Sequence, residues 1–165
     1  MKHQTDGQLI NYIGKYGCFF MSIAYWLTLK VRNIEAGYSQ LNSWWHLALE
    51  TKAPNGRAII SGDMNGDGDM DDADELLLGD KTALCKLIGL PLVYLGSFEP
   101  GKVDKQPGQY YIGEYYREWM EKGKKKSFTH FVGLDDNFNC AYDPIENSLT
   151  VRLGKLKTVR VFKRK

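Results

Sequence analysis

The apolar positions change their period once along this chain, close to Pro91. Before it they recur at helical spacing. After it they fall in short runs rich in aromatic and β-branched residues. Gly17-Cys18-Phe19-Phe20-Met21-Ser22-Ile23-Ala24-Tyr25-Trp26-Leu27 reads as a buried helix, with Gly14 and Gly17 breaking the chain ahead of it. Leu41, Trp44, Trp45, Leu47 and Ala48 predict a second helix over Ser39–Glu50, and Pro54-Asn55-Gly56 a turn. Ala58-Ile59-Ile60 then enters an acidic stretch, followed by a short helix expected over Glu75–Leu78 and another over Thr82–Ile88, ended by Gly89 and Pro91. Beyond Pro91, strands are expected at Leu92–Leu95, Tyr110–Trp119, Thr129–Leu134, Asn139–Tyr142, Leu149–Leu153 and Thr158–Phe162. Helices followed by an antiparallel sheet make an α+β arrangement. The 165 residues carry no repeat or low-complexity linker, which predicts one domain over 1–165.

Charge sharpens this picture. Residues 63–80 hold eight acidic side chains and no Lys or Arg, which leaves 22 basic against 12 acidic side chains elsewhere. With a cation in the acidic stretch, the body presents a positive surface suited to an anionic partner: cell-wall polymer, nucleic acid or membrane surface. Lys124-Lys125-Lys126 and the basic tail from Lys155 to Lys165 concentrate that charge. No apolar run is long enough to span a bilayer, and Met1-Lys2-His3-Gln4-Thr5-Asp6 lacks the apolar core of a secretory signal. The expectation is synthesis in the cytoplasm, with action outside only after release. Three widely spaced cysteines, Cys18, Cys85 and Cys140, form neither a disulfide framework nor a CxxC metal pair.

The acidic stretch has the spacing of a calcium loop. In Asp63-Met64-Asn65-Gly66-Asp67-Gly68-Asp69-Met70-Asp71-Asp72-Ala73-Asp74, oxygen-bearing side chains stand at loop positions 1, 3, 5, 9 and 12. Gly68 permits the sharp turn that wraps a short loop around a hard cation. Asp69 offers its backbone carbonyl, and Asp71 acts through a water. The ligand set expected for Ca2+ is therefore Asp63, Asn65, Asp67, Asp69, Asp71 and Asp74. The segment resembles the calcium loop of dockerin modules, which also ends in Asp. One copy is present where such loops normally pair, which implies a calcium loop and not a dockerin.

A nucleophile is written elsewhere. Cys18 opens the first long helix, where the macrodipole and unpaired N–H groups favour a thiolate. His130, in Phe128-Thr129-His130-Phe131-Val132-Gly133-Leu134, is the candidate base. Asp143, in Cys140-Ala141-Tyr142-Asp143-Pro144, follows the next strand and is placed to orient the imidazole. Cys85 and Cys140 read as core residues and His46 as helix surface. Tyr110, Tyr111, Tyr115, Tyr116 and Trp119 suit either a sheet core or the lining of a sugar or peptide groove.

Gly17-Cys18, His130-Phe131-Val132 and Asp143-Pro144, in that order, resemble a papain-like cysteine peptidase. The likeness is to the bacterial branch of double-glycine leader peptidases and cell-wall hydrolases, and it spans nearly the whole chain. It implies a papain-like fold, N-terminal helices on a C-terminal antiparallel sheet, with Cys18 as nucleophile, His130 as base and Asp143 as orienting group. Such enzymes usually carry a Gln about six residues before the cysteine to stabilise the oxyanion. Here Tyr12 stands there, and Asn11 or Gln8 is the substitute the resemblance leaves.

Together these features lead to an expected function. The chain reads as a monomeric calcium-binding cysteine hydrolase that cuts amide bonds in peptidoglycan, of endolysin or cell-wall effector type, with no nucleic-acid partner and no membrane span. Two alternatives stand beside it: a protein-directed cysteine peptidase acting on a leader or host protein, and a non-catalytic calcium-dependent binding domain.

Overall fold

A computed structural model describes residues 1–61 and 77–165. The first helix, α1 (Asn11–Tyr16), precedes the expected one and is joined to it through Gly17. Helix α2 (Cys18–Met21) continues without a break into a π-helical segment, Ser22–Leu27, and then α3 (Thr28–Arg32). Every residue from Phe19 to Thr28 is buried, which explains why this stretch is apolar all round and not striped. Asn33, in the left-handed region at φ 54°, ends it. Helix α4 (Tyr38–Glu50) buries Leu41, Trp45 and Ala48, one face at helical spacing. Helix α5 (Lys81–Leu87) starts where the Asp80 carboxylate accepts a hydrogen bond of 2.8 Å from the Ala83 amide.

The C-terminal half is a five-stranded antiparallel sheet. Its strands are β3 (Leu92–Phe98), β4 (Gln109–Glu121), β5 (Lys124–Leu134), β6 (Cys140–Tyr142) and β7 (Lys155–Arg164), in the order β3-β7-β4-β5-β6. β4 and β5 form a long hairpin whose two turn residues, Lys122 and Gly123, both have positive φ, the geometry that matches strand twist. The α+β expectation holds at this level, and strand alternation places a core on each face of the sheet. On one face, Ile112, Tyr142 and Phe162 pack with the helices. On the other, Tyr111, Val132, Leu134, Val159 and Val161 pack with Val151.

Two local expectations fail. Leu149–Leu153 is a short helix, α6, and not a strand. Its β-branched residues suggested a strand, but Val151 packs on the second face of the sheet and Thr150 is buried, so tertiary contacts override propensity. Leu77–Leu78, expected at the end of a helix, is instead strand β2, paired antiparallel with β1 (Ile60–Ser61). That pairing holds the two chain ends of the acidic segment side by side. The calcium loop itself, with Asp63, Asn65, Asp67, Asp69, Asp71 and Asp74, lies outside the described residues. Among the described residues, no helix is long and apolar enough to cross a membrane.

Candidate active site

Two glycines set the close contacts here, one within the helical half and one between it and the sheet. A methyl group on Gly17 would stand 2.3 Å from the Ile13 carbonyl oxygen, so only glycine lets α1 fold back so closely before Cys18. A methyl group on Gly133 would stand 2.2 Å from the Trp26 indole. Trp26 therefore lies directly on the β5 backbone, and its ring stacks with Tyr142 at 5.8 Å and 7°. Next to it, Phe19 meets Phe131 edge-on at 4.3 Å. These contacts set the helix that begins at Cys18 against the strand that carries His130.

His130 is fully buried, and its Nε2 lies 2.6 Å from Asp143 Oδ1. The carboxylate is itself held by the chain that follows it. Oδ1 accepts the Ile145 amide at 2.9 Å, and Oδ2 accepts the Ser148 amide at 3.3 Å. Register explains the meeting: β6 pairs Tyr142 with Gly133, which brings the next residue, Asp143, beside the His130 end of β5. The other ring nitrogen, Nδ1, is buried and makes no hydrogen bond of ordinary geometry. Burial alone would drive the proton off this imidazole. The hydrogen bond to Asp143, then the influence of Cys18 nearby, outweigh burial and raise the pKa to about 9. Cys18 is thus the second electrostatic neighbour of His130, half-buried at the head of its helix.

The remaining thiols differ. Burial pushes Cys85 up to about 12, and burial followed by the charge of Asp143 pushes Cys140 up to about 11, so both stay protonated at neutral pH. His46 is exposed on α4, as expected. Tyr111 joins the core of the second sheet face, and Tyr115 stands opposite His130 on β4.

The two oxyanion candidates are both exposed. Asn11 begins α1 with its side chain exposed, and Gln8 is exposed too, its carbonyl accepting a 2.9 Å bond from the Asn42 amide. Among the described residues, neither side chain has a hydrogen bond to Cys18, His130 or Asp143.

A residue that the sequence did not single out ties the site together. Gln4 is buried; its backbone amide donates to the Pro144 carbonyl at 2.8 Å and its side-chain amide to the Gly14 carbonyl at 2.9 Å. It thereby bridges the corner that carries Asp143 and the segment that leads to Cys18. A glutamine near a chain start gives no sequence signal for such a role. Gly133 did carry one, since an isolated glycine inside a strand marks close approach of another group.

Among the described residues, no group of three or more His, Cys, Asp or Glu side chains is arranged to hold a metal ion. Compared with family models, curated proteins and solved structures, the chain gives no match in any of the three. The chemistry must therefore be read from the array itself: a thiol, a buried imidazole with raised proton affinity and a carboxylate fixed by backbone amides.

Proposed function

We propose that this protein is a cysteine hydrolase of amide bonds, papain-like in its catalytic layout, and that its substrate is peptidoglycan. The observation that carries the reading is His130, fully buried with Nε2 2.6 Å from the Asp143 carboxylate and with its proton affinity raised by Asp143 and, after it, by Cys18. In this reading the proton of the Cys18–His130 pair already rests on the imidazole, and the Cys18 sulfur, as thiolate, attacks the carbonyl carbon of the amide. The tetrahedral intermediate collapses as His130 returns the proton to the leaving amine. Water, deprotonated by His130, then releases the acyl group and restores the thiolate. Asp143 holds the Nε2–H and fixes the ring throughout.

The wall substrate is supported by the charge distribution, 22 basic against 12 acidic side chains outside residues 63–80. An endolysin or delivered wall effector fits that charge. The acidic segment is proposed as a Ca2+ site on the spacing of its oxygen-bearing side chains, and Ile60 pairs with Leu78 and Ser61 with Leu77 at its flanks. An affinity of about 10⁻⁴–10⁻³ M, typical of extracellular modules, would leave it empty in the cytosol and filled outside. Calorimetry giving a nanomolar constant would remove that regulatory role.

A second reading, a non-catalytic calcium-dependent binding domain, is favoured by Tyr12 standing where the glutamine is expected, with Asn11 and Gln8 exposed. The deciding experiment is turbidity loss of purified cell walls with calcium or chelator, comparing wild type with Cys18→Ala. Lysis that requires Cys18 supports the hydrolase. Intact walls after treatment with calcium-loaded wild type, while the same protein cuts a peptide substrate, would shift the target to proteins. Cleavage of neither leaves the binding domain.

A further inference from the structure

The β4–β5 hairpin outruns the sheet that supports it. Past the Tyr116–Lys155 pair, β4 has β5 as its sole strand partner, and β6 meets β5 only at Gly133 and Leu134. Five residue pairs, from Arg117–Phe128 to Glu121–Lys124, therefore form a two-stranded arm reaching about 17 Å beyond the sheet. Directly opposed residues in an antiparallel pair share a face. The face that carries His130 and Tyr115 continues outward as Phe128 with Arg117, Lys126 with Trp119, and Lys124 with Glu121.

The two faces of the arm differ in chemistry. On the face turned away from His130, charge is matched: Lys125 Nζ lies 3.2 Å from Glu118 Oε2, and the Tyr116 hydroxyl also binds Glu118. On the His130 face, Arg117 lies over the Trp119 ring at 4.6 Å. The Phe128 ring faces the His130 imidazole at 6.3 Å and 22°, with 46% of the residue exposed. Among the described residues, Arg117, Lys124 and Lys126 form no ion pair, and Glu121 is the single acid on this face. Nothing in folding requires this row. A solvated two-stranded ribbon gains little from three like charges on one side.

Unpaired cations spaced along a strand, with stacking rings between them, are suited to a chain that bears carboxylates and flat or ring-shaped groups. We propose that the His130 face of this arm binds the carboxylate-bearing peptide and sugar chain of peptidoglycan beside the scissile amide. Arg117, Lys124 and Lys126 meet its carboxylates, while Trp119 and Phe128 stack on it. The choice of polymer rests on the hydrolase reading above; the binding itself requires no cleavage.

The test uses the Cys18→Ala protein, sedimented with purified peptidoglycan sacculi. The arm is intact or carries Arg117→Ser, Lys124→Ser and Lys126→Ser together. The sacculi are native or have their carboxylates amidated. Loss of three surface charge pairs is expected to weaken binding about tenfold, and amidation to weaken the intact arm by a similar factor. Raised salt should erase the difference. Amidation probes the charge without any substitution, so a misfolded variant would not void the test. Equal binding of native and amidated sacculi overturns the proposal, as does binding of a well-folded triple variant that matches the intact arm. Arm-dependent binding of poly-L-glutamate without binding of sacculi overturns it too, in favour of an acidic protein partner. Walls bound but left uncut by the protein with Cys18 intact would sink the hydrolase reading and leave the arm standing. Cleaved walls indifferent to the arm would do the reverse.

Discussion

Asp143→Asn removes the charge that keeps a proton on His130, yet keeps the shape of the side chain and an oxygen for one of the two backbone amides that follow. In the native protein the imidazole titrates at about 9, against about 6.5 in an unfolded chain. Folding therefore tightens proton binding, and stability falls as pH rises and the unfolded state no longer has to be outbid for that proton. The contribution is whole below about pH 6.5 while Asp143 is ionised, shrinks between about pH 6.5 and 9, and is lost above that. The gap between the two values corresponds to about 3 kcal/mol. In Asp143→Asn, burial acts on the ring without a carboxylate to oppose it, so His130 is neutral at pH 7 and this slope disappears. The assay is urea unfolding of both proteins across that pH window, with NMR titration of the imidazoles; the chain holds three histidines, so His130 is readily assigned. The stability difference between the proteins should close by about 3 kcal/mol as pH climbs. Parallel pH profiles, or a wild-type His130 that titrates at or below about 6.5, would refute the reasoning.

Three further outcomes follow from the same contacts. Gly133→Ala forces the Trp26 indole off β5; such overpacking costs about 1–3 kcal/mol, read as a lowered urea midpoint, and a displacement of about 1 Å at Cys18 cuts turnover on the order of 100-fold. Wild-type stability and rate in this variant would show that Trp26 does not set the approach of helix to strand. Gln4→Ala leaves the Gly14 carbonyl without its buried partner and should cost about 1–2 kcal/mol by the same measurement, with a fall in turnover that Gln4→Asn does not fully restore. Iodoacetamide should label Cys18 well before Cys85 or Cys140, by mass spectrometry of the native protein at pH 7.5, because burial keeps the latter two protonated. First labelling at Cys140 would argue against Cys18 as the reactive thiol.

Much of this architecture was legible in the chain because its signals are local. The all-apolar run from Phe19 to Leu27, the face made by Leu41, Trp45 and Ala48, and the aromatic strand that became β4 each follow from the period of their own side chains. His130 and Asp143 were legible as a pair because adjacent antiparallel strands set the distance between them. What misled was equally local. Leu149–Leu153 has the residues of a strand and becomes a helix because the second face of the sheet, built from β4, β5 and β7, accepts Val151.

By itself, then, the sequence determined the change from helices to sheet near Pro91 and which residue types stand ready for thiol chemistry or for a cation. Tertiary structure alone decided that Cys18 becomes an electrostatic neighbour of His130, since that depends on Gly133 leaving room for the Trp26 indole to lie on β5. It alone decided that Gln4 links the two halves of the site and that the β4–β5 hairpin extends past its neighbours. The physical reason is range. Periodicity and capping act over a few residues, whereas packing contacts and strand lengths are settled only between segments far apart in the chain.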